Sequence, residues 1–461
     1  MVQNKQIISK IYTFLEQKLP IKIGVNKKNE LARLIYEISQ AKKVSLKEIA
    51  EAVDVDTIIK DGKSNLFHKI KKGLIAIRYP SFEHGDNLHL MPLKIRDENI
   101  ECKPWDFNLK PESIFVEKSV KDMIWTCEFI KKFPSAKVVV INSFAEGARN
   151  FSRMTPVEIY NPRRENIFLI KNKSAFIKIC PCTKGCVRCG YWILNVGFGC
   201  PIDCTYCYLQ MYSNSPGIIL PANIEEYFNY IVEFDKKVGK RTRIGTGEFT
   251  DSLALDKYTN YSSYLISFFR ETKNLVLELK TKVADINNVL KQKPHRNVVL
   301  SWSMNPDHIA EKYEQGSSKI EARINAALLA VKKGYKIAFH FDPLVYYDGW
   351  ENDYRNVVEE MFLHEEIIKH TVWVSLGSLR YTPGLKQAAE QRFSENNMFY
   401  RGEFFVDELG KFRYPKELRI DMYNKMTNWI RSFKTHAWIY LCMEPEDVWA
   451  GTLLNKEDGF K

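Results

Sequence analysis

Apolar residues recur at helical spacing early in the chain, at Leu31, Leu34, Ile35 and Ile38, which predicts an amphipathic helix. Ser45 followed by Glu48 is the signature of a capping box, and it opens a second helix bearing Ile49, Ala52 and Val53. A third short helix is expected to end at Gly73. Residues 1–80 therefore read as a helical module. Its helices suit either a helix-turn-helix variant that touches DNA or a small bundle packed on the main domain. Residues 80–110 show little periodicity and read as a linker or irregular subdomain. Residues 113–142 read as strand, helix, strand, with strands at Ile114–Val116 and Val138–Ile141. They form a small α/β unit within 81–175.

From about residue 190 the pattern changes to apolar strands alternating with amphipathic helices. Strands are expected at Ile193–Val196, Arg243–Gly245, Val276–Leu279, Val298–Trp302, Lys336–Phe341 and Val372–Leu376. Helices are expected around 223–238, 260–272, 284–292, 317–333 and 353–369. Repeated strand–helix units imply right-handed crossovers and a parallel sheet. Six strands fall short of a full barrel, so residues 176–461 read as a partial (β/α)6 parallel barrel with a C-terminal extension. The fold class is α/β. Chemistry in such folds sits at the C-terminal ends of the strands. No apolar run approaches the length of a membrane span, and the first residues lack the apolar core of an export signal.

Composition sharpens this picture in two ways. The 461 residues are 45% hydrophobic and 27% charged, which excludes a disordered, collagen-like or disulfide-stapled chain. Net charge is +12, and residues 1–100 hold 18 basic against 12 acidic residues. That balance fits a polyanionic partner, or an unspecialised basic surface.

Seven of ten cysteines lie between Cys180 and Cys207. In a long chain without an export signal such crowding points to metal binding in a reducing cytoplasm rather than to disulfides. Cys102, Cys127 and Cys442 are scattered and read as small buried hydrophobes. Cys200, Cys204 and Cys207 follow the first strand with C-x3-C-x2-C spacing. Three thiolates on one loop suit three irons of a [4Fe-4S] cube and leave the fourth iron open. Cys180, Cys182, Cys186 and Cys189 offer four thiolates within ten residues. They suit a second metal site, zinc or iron–sulfur, or buried thiols, or a hydrogen-donating thiol.

The C-x3-C-x-aromatic-C loop after the first strand resembles the radical S-adenosyl-L-methionine (SAM) superfamily. The stretch Cys204-Thr-Tyr-Cys-Tyr-Leu-Gln210 resembles its spore photoproduct lyase family, as do Gly245–Ser252, Thr281-Lys282, Ser303–Asn305, Gly334-Tyr335 and Asp348–Trp350. The likeness covers about residues 110–445. It implies that the open iron chelates SAM and that reductive cleavage yields a 5′-deoxyadenosyl radical. It implies SAM contacts at Gly245, Gly247, Glu248, Lys282, Ser303 and Asn305, with Tyr206 beside the adenine. It also implies a role for Tyr206 and Tyr208 in passing the radical, DNA carrying ultraviolet thymine lesions as substrate, and a flavodoxin or ferredoxin as reductant.

One departure stands out. The family's hydrogen-donor cysteine follows the second strand, and the matching position here holds Phe249. The alternatives are a different substrate (RNA, nucleotide or peptide) or a non-enzymatic iron–sulfur DNA-binding protein. His340 and Asp342 end the fifth strand and suit substrate binding or a core His–Asp pair. Arg413 and Tyr414, in a basic stretch after Glu408, read as a hairpin tip suited to phosphate and base contact.

Overall fold

The computed structural model describes residues 2–18, 23–60, 65–80, 108–151, 154–173, 176–213, 215–393, 398–400, 403–407 and 410–456. Residues 81–107 of the linker expected at 80–110, Cys102 among them, and Glu408 lie outside the described residues. The chain divides into two compact units. One joins residues 1–99 to 379–386 and 395–421, and the other comprises 100–378, 387–394 and 422–461.

The first unit is built on five helices: α1 (Val2–Lys18), α2 (Val25–Lys42), α3 (Leu46–Val53), α4 (Val55–Lys60) and α5 (Leu66–Arg78). Ile11, Leu15, Leu31, Leu34, Ile38, Ile49, Ile70 and Leu74 form its core. The capping box at Ser45 is present, with Glu48 N donating to Ser45 Oγ and Ser45 N to Glu48 Oε2 at 2.7 Å. Gly73 does not end a helix. It lies inside α5, where a Cβ would stand 2.9 Å from Val53 Cγ1. The glycine serves close helix approach, and the third expected helix continues to Arg78.

Residues 380–381, 405–406 and 412–413 add a small antiparallel sheet to this unit. Phe405 enters the helical core, and the buried Arg33 donates to Tyr400 O at 2.8 Å. The expected hairpin is therefore real, but Arg413 and Tyr414 are not at an exposed tip. Arg413 pairs with Asp407 at 2.8 Å, and Tyr414 is 1% exposed and stacked on Phe404. Both side chains are occupied in holding the unit together.

The second unit contains two parallel sheets. β1 (Ser113–Glu117), β2 (Lys137–Ile141) and β3 (Asn166–Ile170) form the smaller one, with a later strand at Ile218–Pro221. The larger sheet begins with β4 (Ile177–Ile179) and β5 (Trp192–Leu194). Between them and the next barrel strand come β6 (Asp203–Cys204) and that strand of the smaller sheet, β7 (Ile218–Pro221). Then follow β8 (Thr242–Gly245), β9 (Leu275–Thr281), β10 (Val298–Ser303), β11 (Glu314–Gln315), β12 (Lys336–Leu344), β13 (Thr371–Ser378) and β14 (Trp438–Leu441).

The smaller sheet runs β2-β1-β3-β7, all parallel. The larger runs β14-β13-β12-β10-β9-β8-β5-β4 and is parallel except for β4. All six expected strands are there in the expected order. β14 adds a seventh parallel strand and β4 an antiparallel edge. β9, β10, β12 and β13 are nearly fully buried, as a parallel sheet covered by crossover helices must be. No helix among the described residues is long and apolar enough to cross a membrane.

Candidate active site

The loop holding Cys200, Cys204 and Cys207 follows β5 and is clamped from three directions. β6 pairs antiparallel with β11, placing Cys204 opposite Glu314, and Thr205 N donates to Tyr313 O at 2.8 Å. Inside the loop the buried Gln210 amide nitrogen donates to the carbonyls of Thr205 (2.8 Å), Cys207 and Cys204. It satisfies backbone acceptors that water cannot reach. Asp203 accepts from Arg163 at 2.8 Å and from Arg392 at 2.7 Å. Arg163 also donates to Cys200 O at 3.0 Å. Burial opposes the Asp203 charge, but the two guanidinium groups hold its carboxyl below the usual range. Gly199 N donates to Phe249 O at 2.9 Å, so Phe249 supports the loop through its backbone.

The three thiols are in electrostatic reach of one another. Burial, then Asp251 and the Cys207 sulfur, pushes the Cys200 thiol up to about 12. Burial likewise pushes Cys204 and Cys207 up, and both Cys200 and Cys207 act on Cys204. Such a set is unstable as three bare thiolates and suits a cationic core that replaces their protons. Among the described residues no three His, Cys, Asp or Glu side chains close on one point as ligands of a single ion do. A cubane cluster assigns each thiolate its own iron, so a shared loop is the arrangement it requires. The donor set fits a [4Fe-4S] cluster with one open iron.

Glu314 is the hub beside this loop. Its Oε1 accepts from Lys282 Nζ (2.9 Å), Asn305 Nδ2 (2.8 Å) and the Tyr206 hydroxyl, and its Oε2 from Arg323 (2.8 Å). The carboxylate is fully buried. Burial works against its charge, but Lys282 and Arg323 hold it far below the usual carboxylate range. Arg323 also donates to Ser303 O at 2.6 Å, and Tyr354 donates to Asn305 Oδ1 at 2.6 Å. One acid thus gathers Tyr206, Lys282 and Asn305 from three strand ends, with Ser303 joined through Arg323. Sequence reasoning missed Glu314. Its only signal is placement in a two-residue strand after an irregular helix, which no motif marks.

At the end of β8, Gly245 and Gly247 are required by close packing. A Cβ on Gly245 would stand 1.7 Å from the Tyr191 hydroxyl, and one on Gly247 3.0 Å from the Lys280 side chain. Glu248 follows and is exposed. Asp251 fixes the turn, accepting from Leu253 N, Ala254 N, Lys282 N and the Thr281 hydroxyl at 2.6–2.9 Å. Tyr208 leads into the helix Leu209–Tyr212 and stacks on Tyr212 at 5.9 Å.

The barrel interior is polar. His340 bonds Glu278 at 2.6 Å, and Trp373 Nε1 donates to the same oxygen at 3.1 Å. The expected core pairing of His340 is therefore real, with Glu278 and not Asp342 as partner. Burial lowers His340, with Glu278 opposing. Asp342 lies against Gly377, where a Cβ would be 2.7 Å from its carboxylate. Arg243 donates to Tyr440 at 3.0 Å within a cage that includes Tyr191, Trp373 and Trp438.

The second cysteine group is arranged differently. Cys182 Sγ donates to Cys180 Sγ at 3.7 Å. Cys186 forms a backbone bridge with Pro445, and Cys189 faces Arg243. Among the described residues no three of these side chains close on one point, and the loop's backbone is tied to residues 443–445.

An open parallel barrel with a three-cysteine loop after its first strand defines the class of radical SAM proteins. The sequence profile of the spore photoproduct lyase family matches residues 110–441. The spore photoproduct lyase of Bacillus subtilis (strain 168) is 25% identical over 250 residues, 52% of this chain and 72% of that protein. That of Geobacillus sp. (strain Y412MC61) is 27% identical over 210 residues, 45% of this chain and 62% of that protein. The solved structure of a spore photoproduct lyase complexed with dinucleoside spore photoproduct shares the fold. Its TM-score is 0.63 at 20% identity, over 72% of this chain and 99% of that one. A mutant with bound AdoMet and the dinucleoside matches at TM-score 0.61, also at 20% identity, over 72% of this chain and 98% of that one. The chain belongs to the spore photoproduct lyase family.

Proposed function

We propose that this protein repairs ultraviolet thymine lesions of the spore-photoproduct type in DNA, as a radical SAM lyase of the cytoplasm served by a flavodoxin- or ferredoxin-type reductant. The observation that carries this reading is the three-thiol loop, with Cys200 and Cys204 buried, clamped by Asp203 and Glu314 at the strand ends of a family-matched barrel. Cys200, Cys204 and Cys207 hold the cluster. When bound, the cluster and SAM together supply a 5′-deoxyadenosyl radical that removes a hydrogen atom from the substrate.

The chain's own residues position that chemistry. Gly245, Gly247 and Glu248 would present backbone and a carboxylate to the SAM ammonium, and Ser303 and Asn305 would stand on its ribose or carboxylate side. Lys282 is oriented by Glu314, which also fixes the Tyr206 hydroxyl. Tyr206 lies within the cluster loop and Tyr208 directly after it, placed to relay an electron or radical between substrate and cluster. His340 and Asp342 lie on the substrate side of the interior and shape it rather than reacting. The positive balance of the chain favours a phosphate backbone as partner.

Anaerobic turnover of the iron-reconstituted protein with reductant, SAM and a synthetic spore-photoproduct oligonucleotide tests the reading by mass spectrometry. Restored thymines with 5′-deoxyadenosine support it. 5′-Deoxyadenosine without repair rejects the substrate and keeps the radical machinery.

A further inference from the structure

A bond-breaking radical repair leaves a carbon radical on the product, and that radical must gain a hydrogen atom. Thiol S–H bonds are the natural source, and Phe249 has none. Other thiols lie before the first barrel strand, at Cys180, Cys182, Cys186 and Cys189, and after β14, at Cys442. The segment after β4 is pinned across the open side of the barrel to the segment after β14. Thr183 N donates to Met443 Sδ at 3.3 Å, Val187 N to Glu444 O at 2.9 Å, and Cys186 bridges Pro445. Cys442 N in turn donates to Leu376 O at 2.7 Å. This stitching holds Cys180, bonded to Cys182 at 3.7 Å, within electrostatic range of both Cys442 and Glu248. Lys280, packed against Gly247, feels Glu248, Asp342 and Cys442 together. The paired thiols and the end of β8 therefore share one neighbourhood.

We propose that Cys180 and Cys182 form a metal-free dithiol that donates the hydrogen atom to the product radical. The inference rests on the function proposed above and deepens it. In the step, one C–H bond forms and two S–H bonds break. An S–S bond forms, one proton is released, and one electron returns to the flavodoxin- or ferredoxin-class carrier that donated the initiating electron. A small dithiol then reduces the disulfide. The Cys180–Cys182 pair is half-buried, as a donor must be to meet both substrate and reductant.

The test has two arms. In the first, a Cys200→Ala/Cys204→Ala/Cys207→Ala protein is incubated with zinc or ferrous iron, and separately with diamide. A reversible Cys180–Cys182 disulfide found by peptide mass mapping, with no retained metal, supports the proposal. One metal ion retained per chain and lost in Cys180→Ser overturns it, since metal-bound thiolates carry no S–H. In the second, the reconstituted wild-type protein repairs the oligonucleotide in D2O. Deuterium in the restored thymine is expected, with a disulfide accumulating in step with product when dithiol is withheld. Cys180→Ser and Cys182→Ser are each expected to cut repair roughly tenfold or more while 5′-deoxyadenosine still forms. Repair with unchanged deuterium in both variants overturns the dithiol alone. A wild-type protein that makes 5′-deoxyadenosine but repairs nothing overturns the function reading instead.

Discussion

Two cysteine loops flank the first barrel strand, and they are held in opposite ways. The loop of Cys200–Cys207 is locked by side chains: Asp203 between two arginines, Gln210 on three carbonyls, and Glu314 behind Tyr206. The loop of Cys180–Cys189 is tied to residues 443–445 through backbone groups and the Met443 sulfur. A redundant charged clamp keeps three sulfurs in place whether or not anything is bound, which is preorganisation for a cofactor. A loop tied through its backbone leaves its thiols to one another, as the Cys182–Cys180 contact shows.

The comparison breaks most sharply at the sulfurs themselves. Cys200→Ala is expected to abolish iron–sulfur absorbance and SAM cleavage to background. Cys182→Ala should retain the iron and the cleavage of SAM. Equal iron loss in both variants would erase the distinction between the loops.

Next in size is Glu314. Glu314→Gln leaves Lys282 and Arg323 without their buried anion, and breaking such a pair costs about 3–5 kcal/mol. Chemical denaturation of the cluster-free protein measures it. The carboxyl is depressed in the folded state, so its contribution is fully present above the unfolded value of about 4.3 and is lost as pH falls through the folded one. Wild type should therefore lose stability below about pH 4 more steeply than Glu314→Gln.

A smaller effect is expected from Gly245→Ala. The methyl would meet the Tyr191 hydroxyl, and overpacking of this kind costs about 1–3 kcal/mol. Thermal melting should show the loss. An unchanged melting temperature would mean that the end of β8 is looser than the clamp beside it.

These residues also mark how far the sequence could be read. Cys200, Cys204 and Cys207 were legible because cluster ligation imposes a spacing, and the six buried strands because parallel strands are continuous apolar runs. β4 and β14 were not: three residues carry no period, and β14 is set off by a long helix, Lys416–Ser432. β3 was missed although it is as long as β1 and β2, because its apolar run NIFLI stands apart from the strand–helix–strand pattern at 113–142, and β7 because it is four residues long. Glu314 was invisible because its importance comes from partners 9 to 108 residues away. Tyr414 misled because a basic, aromatic stretch looks the same whether its ring faces solvent or packs on Phe404.

The smallest expected effect tests the weak side of the comparison. Met443 accepts the Thr183 amide through sulfur. Met443→Leu conserves volume, so packing costs little, and the lost Thr183 hydrogen bond is worth about 0.5–1.5 kcal/mol. Global stability should move by no more than that. Amide exchange at Thr183 should quicken, because a loop tied through its backbone opens locally when one tie is removed. The iron content should not change, since the bonds that hold Asp203 and Glu314 come from Arg163, Arg392, Lys282 and Arg323. Were iron retention to fall with Met443→Leu, the two loops would be one mechanical element, and the contrast drawn between their modes of support would have to be abandoned.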